Sequence, residues 1–325
     1  MYSNFLPLIG SEIALSLYPQ LIKLIPTTIE NQVATRCITY SILAIIGYYI
    51  TTNNNKEKNN NIFTKSTTIT TTILMGLVNM IHIISSYMCF NILSSGVGYS
   101  IFYIYPIFNL LGRTFIYNEK IDSINYIYIL ISILGVYLIY KHNKKETTNT
   151  NTEQVLEHVP EPFFNVNDIL NTKNTTIGIV SGIVSALTES IIYFMVKDNP
   201  ISISPYTQLL KTYLLGGIVS IIYFIQSIIT NTTNTTTTTT TNTLLNLDYH
   251  YWITLILFNA IIGFVGYLLR FIMIPRLSTL LFNSLIFIGV IFSYIWGYIL
   301  SNEPITYSNV SGTLLILSSI FLINK

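Results

Sequence analysis

Long apolar stretches, each able to cross a lipid bilayer as a helix, restrict what this chain can fold into. A bilayer core needs about twenty mostly apolar residues per helix. Ten stretches meet that need, at residues 5–25, 33–50, 69–92, 97–117, 124–141, 176–196, 206–229, 251–274, 277–300 and 306–323. We therefore predict an all-α polytopic membrane protein with ten transmembrane helices.

The composition favours an integral membrane protein. Hydrophobic residues make up 51% of the 325 residues and charged residues only 9%, whereas a soluble domain carries about 25% charged residues. The net charge of +2 is too small to indicate a nucleic-acid partner, and no cluster of Lys and Arg alternates with aromatic residues. The expected environment is a lipid bilayer, in a membrane that the sequence does not identify.

A repeat links the middle of the chain to its end. Residues 93–141 and 277–325 align without a gap at a constant offset of 184. The alignment has 14 identities in 49 positions, against roughly four or five expected by chance in so biased a composition. Each copy comprises an apolar stretch, a polar break containing Asn-Glu-x-Ile and a second apolar stretch ending in Lys. Duplicated units of membrane helices are typical of transporters.

Polar connections divide the ten stretches into five and five. We predict a first repeat over residues 1–141, a polar linker over 142–174 and a second repeat over 175–325. Asn- and Thr-rich inserts near 51–61 and 230–243 follow the second helix of each half and are predicted to be solvent loops. An odd number of helices per half gives the halves opposite orientations, so we expect two inverted five-helix repeats.

The distribution of cations favours a cytoplasmic N-terminus and a cytoplasmic C-terminus. In that orientation most of the 16 Lys and Arg residues lie on the inner side, as the positive-inside rule requires. Arg36, near the start of the second helix, falls on the outer side. Arg270 lies near the inner end of the eighth helix, and the favoured interpretation is that it extends to the membrane surface.

The segment over residues 100–140 resembles the EamA-type repeat of the drug/metabolite transporter superfamily. In that family the fourth helix of each half carries a proline and ends at a small residue followed by Glu, and the fifth helix has spaced glycines. The matching positions are Pro106, Glu119, Gly135 and Val136 in the first copy, and Glu303, Gly312 and Leu315 in the second. The chain departs from the pattern in three respects, one of which is that each fifth helix keeps only one of the two usual glycines. Asn118 and Asn302 stand where the family usually has Gly, and Val290 replaces the second proline.

The resemblance implies a ten-helix carrier with both termini in the cytoplasm and a central cavity between its halves. Members of the family carry nucleotide-sugars, sugar phosphates, amino acids and other small organic metabolites. No residue of this chain selects one of these substrates.

Two carboxylates lie at comparable places in the first helix of each half, Glu12 and Glu189. Ionisable residues at membrane depth usually face the bundle interior or a wet cavity. Either each contacts the substrate or carries a coupling proton, or each pairs with a cation on a neighbouring helix. The sequence favours both interpretations equally.

Helices three and eight each carry a polar face. Asn79 and His82 lie on one face of the third helix, while Asn259 and Gly263 lie on one face of the eighth. We expect these faces to project into the same central space, with the glycine allowing another helix to approach closely. For His82, satisfaction by a neighbouring helix is a slightly stronger alternative than substrate binding.

Tyrosines and one asparagine complete the substrate-binding candidates. Tyr99 and Tyr103 are one turn apart on the fourth helix, and Asn283 occupies the repeat position of Tyr99. Most of the 24 tyrosines are expected in the interfacial belt or in packing. Glu119 and Glu303 are assigned a structural role, since a carboxylate at a helix–helix connection can cap free backbone N–H groups.

Signals for an enzyme are absent from the sequence. The four histidines show no metal-ligand spacing, and no P-loop, nucleophile elbow or dinucleotide fingerprint occurs. Cys37 and Cys89 lie inside apolar stretches and are read as small buried residues. We therefore predict no catalytic residue, no metal and no cofactor.

The leading hypothesis is a secondary transporter of a small organic metabolite, working by alternating access of its two halves. The alternative is a non-transporting membrane scaffold or a degenerate carrier. Polar faces inside the bundle favour the transporter, because a scaffold has no need of them. The expected partners are a small-molecule substrate and the bilayer, and a homodimer is an open alternative to a monomer.

Overall fold

The computed structural model describes residues 5–55, 66–118, 122–149, 173–198, 203–233 and 248–323, which are helical and contain no strand. The first half contributes α1 (Leu6–Leu15), α2 (Tyr18–Leu24), α3 (Ile29–Asn55), α4 (Ser66–Ile92), α5 (Ser95–Phe102), α6 (Tyr105–Tyr117) and α7 (Ser123–Asn149). The second half contributes α8 (Lys173–Lys197), α9 (Pro205–Thr233), α10 (Tyr249–Leu257), a π-helical segment (Phe258–Phe264), α11 (Val265–Met273), α12 (Thr279–Leu285), α13 (Phe287–Ser301) and α14 (Tyr307–Ile323). The prediction of an all-α protein is confirmed.

Seven helical stretches in the described part of the chain are long and apolar enough to cross a membrane. They are Ile29–Thr51, Ile69–Ile92, Ser123–Lys141, Asn174–Lys197, Pro205–Ile229, Tyr249–Met273 and Leu281–Ser301, and Tyr307–Leu322 is apolar but shorter. Their outer faces carry large exposed apolar side chains such as Leu130, Ile133 and Leu314. A soluble monomer rarely exposes so continuous an apolar surface, whereas lipid tails favour it.

Several predicted spans are interrupted within the bundle. The stretch 5–25 divides into α1 and α2, with Pro19 in the first turn of α2, and the stretch 97–117 divides into α5 and α6, with Pro106 in the first turn of α6. Proline lacks a backbone N–H and is tolerated only in the first turn of a helix. The stretch 277–300 also divides, at Ile286, which is the repeat position of Phe102, although Val290 has replaced the proline. The break is therefore a property of the repeat and does not depend on proline.

Two asparagines with positive φ mark the same point in both repeats. Asn118 ends α6 with φ 53° and Asn302 ends α13 with φ 50°, and they differ by the repeat offset of 184. The left-handed conformation closes a helix C-terminus and is open mainly to Gly and Asn. This geometry explains why Asn stands in both copies where the resembling family has Gly.

The fifth helix of each half meets its counterpart at two glycines. A Cβ on Gly135 of α7 would lie 2.6 Å from the carbonyl oxygen of Gly312 on α14, and a Cβ on Gly312 would lie 2.8 Å from that of Gly135. Backbones approach this closely only where side chains are absent. The spaced glycines of the repeat therefore form the α7–α14 contact.

Helix pairs in the bundle follow an exchange of the two halves. α1, in the first helix of the first half, packs on α11, in the third helix of the second half. Likewise α4, the third helix of the first half, packs on α8, the first helix of the second half. α3 packs on its counterpart α9, and α7 packs on its counterpart α14. The bundle is therefore built mainly from contacts between the halves.

The predicted connections are partly helical. α7 continues to Asn149 and α8 begins at Lys173, so both ends of the predicted linker 142–174 belong to helices. Likewise α3 continues to Asn55 and α9 to Thr233, into the inserts predicted as loops. The remaining parts of the linker and inserts lie outside the described residues.

Candidate functional site

Arg270 lies at the centre of the bundle between carboxylates from opposite halves. Its Nη2 is 3.1 Å from Glu189 Oε1, and its Nε is 3.5 Å from Glu12 Oε1. The side chains are 2%, 5% and 0% exposed for Arg270, Glu189 and Glu12. Because a buried charge is costly unless it is paired, the three residues form one unit, here named the ion triad.

A close contact between α1 and α11 positions the triad. Ser11 Oγ donates a hydrogen bond to the carbonyl oxygen of Gly266 at 2.8 Å. A Cβ on Gly266 would lie 3.0 Å from the side chain of Leu15, so the glycine admits α1 to this distance. A close approach was predicted on the eighth helix at Gly263. The contact between α1 and α11 places Glu12, next to Ser11, opposite Arg270.

Two tyrosines complete the coordination of the triad. Tyr103 Oη donates to Glu12 Oε2, and Arg270 Nη2 donates to Tyr105 Oη at 2.7 Å. Both tyrosines are fully buried beside the break between α5 and α6. The interrupted helix thus presents hydroxyl groups to a carboxylate and to a guanidinium on opposite sides of the interface.

His82 extends the triad toward α4. Its Nε2 is 3.4 Å from Glu189 Oε2, and its Nδ1 is 3.2 Å from the carbonyl oxygen of Ser185. Nδ1 also lies 3.3 Å from Ser185 Oγ, and Nε2 lies 3.5 Å from Tyr267 Oη. His82 thus joins α4 to α8 and α11 beside the triad.

Arg36 of α3 is a second buried guanidinium, and it lies among aromatic rings. Its Cζ is 4.6–5.9 Å from the ring centroids of a tyrosine cage, formed by Tyr18, Tyr40, Tyr87, Tyr213 and Tyr267. Its Nη2 donates to Tyr213 Oη at 3.0 Å. Cations over ring faces are attracted by the ring quadrupole. The cage thus holds a cation that is only 3% exposed.

A chain of hydroxyl groups ties the cage to the π-helical segment. The hydroxyls of Tyr40 and Tyr18 are 2.6 Å apart, and Tyr18 Oη donates to Asn259 Oδ1 at 2.8 Å. Asn259 Nδ2 donates to the carbonyl oxygen of Leu255. A Cβ on Gly263 would overlap both tyrosine hydroxyls, so the glycine makes room for this chain. Asn259 therefore orients a wall of the cage.

A small cavity lies between Arg36 and the triad. Its walls come from both halves, namely Leu15, Tyr18, Arg36, His82, Ser86, Phe90, Tyr99, Phe102, Tyr267 and Arg270. Phe90 and Tyr99 stack with ring centroids 5.5 Å apart and give the lining an apolar part beside the charged groups. The free space holds about one or two water molecules. An organic molecule requires the helices to separate further.

The structure brings five of the eight predicted site residues to this centre. His82 and Tyr99 line the cavity. Glu12 and Glu189 pair with Arg270, which also lines it, and Tyr103 donates a hydrogen bond to Glu12. The other three lie in helix contacts. Asn79 donates to the carbonyl oxygen of Thr212 at 3.1 Å, Asn259 supports the cage, and Asn283 accepts from Asn109 at 3.3 Å.

Both arginines differ from their sequence-based interpretation. The prediction that Arg270 extends to the membrane surface is wrong, since it is 2% exposed and joined to two carboxylates. Arg36 was counted among the cations of the outer side, and its side chain is buried in the tyrosine cage instead of lying at a membrane surface. The five tyrosines come from five different helices, α2, α3, α4, α9 and α11, so no local pattern in the sequence indicated the cage.

A second polar cluster joins the ends of α2 and α13 to the start of α5. Lys23 forms an ion pair with Glu303. The same carboxylate accepts a hydrogen bond from the backbone N–H of Ser95 at 2.7 Å, and Gln20 Nε2 donates to Ser95 Oγ at 2.5 Å. Glu303 thus meets the first turn of α5, in the other half, and not the helix that follows it. Its repeat counterpart Glu119 lies outside the described residues.

Comparison with known proteins agrees with this architecture. The model of the EamA-like transporter family matches residues 6–141 and 176–325, which is most of the chain. The chain belongs to the EamA-like transporter family. It is therefore a multi-pass integral membrane protein of a family of transporters of the drug/metabolite superfamily, and the family points away from an enzyme.

A solved structure shows the same fold. A protein known from its crystal structure aligns with 99% of this chain and 97% of its own chain, with a TM-score of 0.57 and 9% sequence identity. At that identity the likeness concerns the fold alone. No curated protein matches the sequence. Within the described residues of this EamA-family protein, no group of His, Cys, Asp and Glu is arranged to hold a metal ion.

Proposed function

We propose that this EamA-family protein is a secondary transporter that moves a small organic metabolite across a membrane by alternating access. The observation that carries the proposal is the central cavity, whose walls come from both halves and include buried charged groups. Buried charges at membrane depth are costly and are typical of substrate pathways. A scaffold would gain nothing from them.

The proposal includes ten crossings in two inverted repeats. The seven long apolar stretches and Tyr307–Leu322 supply eight crossings. The interrupted pairs α1 with α2 and α5 with α6 supply the other two. Interrupted helices near a midplane site are typical of such carriers, because the free backbone and side-chain groups can face the substrate.

We propose that the cluster around Glu303 closes one end of the pathway. Lys23 and Glu303 come from opposite halves, and their ion pair spans the space between α2 and α13. Alternating access requires such contacts to break as the halves rock. The two side chains are partly exposed, at 22% and 15%, so water can solvate both charges when the pair opens.

Uptake into proteoliposomes, after a screen of metabolite classes for thermal stabilisation, tests the transporter. In the variant Glu12→Gln, Arg270 keeps Glu189 as its partner, so the fold should survive while uptake is abolished. The control is Leu130→Ala, at an exposed position on the outer face of α7, and it should retain uptake. Loss of protein yield in Glu12→Gln without a separate transport defect would favour the scaffold.

Crosslinking tests the closed end directly. In a background lacking Cys37 and Cys89, the double variant Lys23→Cys with Glu303→Cys is treated with a short bifunctional thiol reagent that a reductant cleaves. Crosslinking should stop uptake, and reduction should restore it. The two single-cysteine variants are matched controls and should be insensitive to the reagent. Full uptake in the crosslinked protein would remove the closing role of this cluster.

Topology supplies a further test. Tags inserted near Lys56 and near Asn234 follow the second helix of each half and should be reached from opposite sides of the membrane. Detection of both from one side would contradict the inverted repeat.

A further inference from the structure

Arg36 is a buried cation with no anionic partner in the described part of the chain. The other central arginine, Arg270, is shared by two carboxylates, and Lys23 is paired with Glu303. No described carboxylate lies within ion-pair distance of Arg36. Because a buried charge without a counter-ion is costly, this arrangement suits a protein that acquires the counter-ion on binding.

The tyrosine cage satisfies the charge of Arg36 only in part. Ring faces attract the cation, but a guanidinium has five N–H donors. Arg36 Nη2 donates to Tyr213 Oη, and the hydroxyls of Tyr87 and Tyr267 also interact with the guanidinium, while Nε of Arg36 is buried without a hydrogen-bond partner. Guanidinium donors match the oxygens of a carboxylate or a phosphate group in pairs. The unpaired donor therefore indicates a missing oxyanion.

Arg36 also lines the cavity, so a ligand there can reach it. The lining of the cavity also includes the largely apolar side chains of Leu15, Phe90, Tyr99 and Phe102. Arg270 lines the same cavity but is already occupied by Glu12 and Glu189. Arg36 is thus the cation among the described lining residues that remains available to an anion.

We infer that Arg36 and its tyrosine cage form the anion subsite of this cavity, for a small organic molecule with one oxyanion head and an apolar body. The head, a carboxylate or a phosphate monoester, meets the guanidinium, while the body lies against Phe90, Tyr99 and Phe102. The inference rests on the proposed function in taking this cavity as the substrate site. It specifies the chemistry of one end of the substrate and the residue that selects it.

A ligand series that shares one phenyl body tests the subsite on wild-type protein in detergent. Thermal stabilisation is measured with 3-phenylpropionate, phenyl phosphate, 3-phenylpropanol and phenethylamine. The two anions should stabilise the protein, and their relative strength distinguishes a carboxylate from a phosphate head. The neutral and cationic analogues should need at least tenfold higher concentrations to give the same stabilisation. Equal stabilisation by all four, or by none, would overturn the inference.

Variants connect the effect to the guanidinium. Arg36→Gln should lower the affinity for the better anion at least tenfold, and Arg36→Lys should retain part of it. Lys211→Gln is the matched control, since Lys211 is a half-buried cation near the start of α9 that does not line the cavity. It should bind as wild type does. Unchanged anion affinity in Arg36→Gln would refute the subsite, and if that variant does not fold, the wild-type ligand series still decides.

Flux measurements separate the subsite from the transporter. Anion binding that depends on Arg36 without any uptake into proteoliposomes would contradict the proposed function and support the subsite. Uptake of a substrate that is insensitive to Arg36→Gln would support the transporter and contradict the subsite.

Discussion

Removal of the arginine of the ion triad is the perturbation whose cost the structure defines best. Arg270→Gln leaves Glu12 and Glu189 buried, at 0% and 5% exposure, without their shared cation, and it also removes the hydrogen bond to Tyr105. Removing one partner of a buried ion pair costs about 3–5 kcal/mol, chiefly because the other charge stays buried. With two carboxylates left unpaired, we expect the free energy of unfolding to fall by at least that amount.

The assay is chemical unfolding in mixed micelles, followed by intrinsic fluorescence. The matched control is Lys23→Gln, which breaks a partly exposed pair with Glu303 and should cost less than Arg270→Gln, because water can solvate the carboxylate that remains. In the triple variant Arg270→Gln with Glu12→Gln and Glu189→Gln, no buried charge remains in the triad. Part of the lost stability should return, because neither carboxylate is then left charged and buried without its cation. A loss below about 1 kcal/mol in Arg270→Gln, or no recovery in the triple variant, would refute the reasoning.

Three further predictions concern packing, backbone and solvent access. Gly135→Ala should lower the free energy of unfolding by about 1–3 kcal/mol, because its Cβ would meet the Gly312 carbonyl oxygen. The control Gly10→Ala, where a Cβ would have nothing within 4 Å, should be neutral or stabilising. Equal effects of the two variants would contradict the tight α7–α14 crossing. Asn302→Ala should cost about 1–2 kcal/mol at its left-handed position while Asn302→Gly should be tolerated, as unfolding of the two variants side by side will show. In a background lacking Cys37 and Cys89, Ser86→Cys in the cavity wall should react with a water-soluble thiol reagent in membranes. The control Ile256→Cys, at a position 45% exposed on the outer surface, should not react because lipid covers it. An inert Ser86→Cys would argue against a wet pathway.

Much of the fold follows from local signals. Apolar stretches of bilayer length predict the helices, because every backbone group in lipid must be satisfied within its own segment. The offset of 184 predicts the repeat, and it places the left-handed Asn118 and Asn302 at one equivalent point. The interruptions of these helices were not predicted, because the sequence shows where proline stands but not whether the helix resumes in the same direction.

The candidate site was predictable only in part. Glu12, Glu189 and His82 were identified because ionisable groups at membrane depth need partners. Arg270 and Arg36 were not, since a long cationic side chain near a helix end has two destinations, the membrane surface and the bundle interior. Asn79 and His82 lie one turn apart on α4, yet one contacts α9 and the other lines the cavity.

The sequence by itself determined that this chain is a helical membrane protein with a duplicated unit, because helix formation and membrane insertion depend on contiguous residues. Only the tertiary structure decided which buried charges meet. Glu12, Glu189 and Arg270 come from α1, α8 and α11, and the tyrosine cage of Arg36 gathers rings from equally separate stretches. The rotation of each helix about its axis and its shift along its neighbours are set by packing at contacts such as Ser11 with Gly266. Those contacts join residues 255 positions apart in the chain, and no local pattern encodes them.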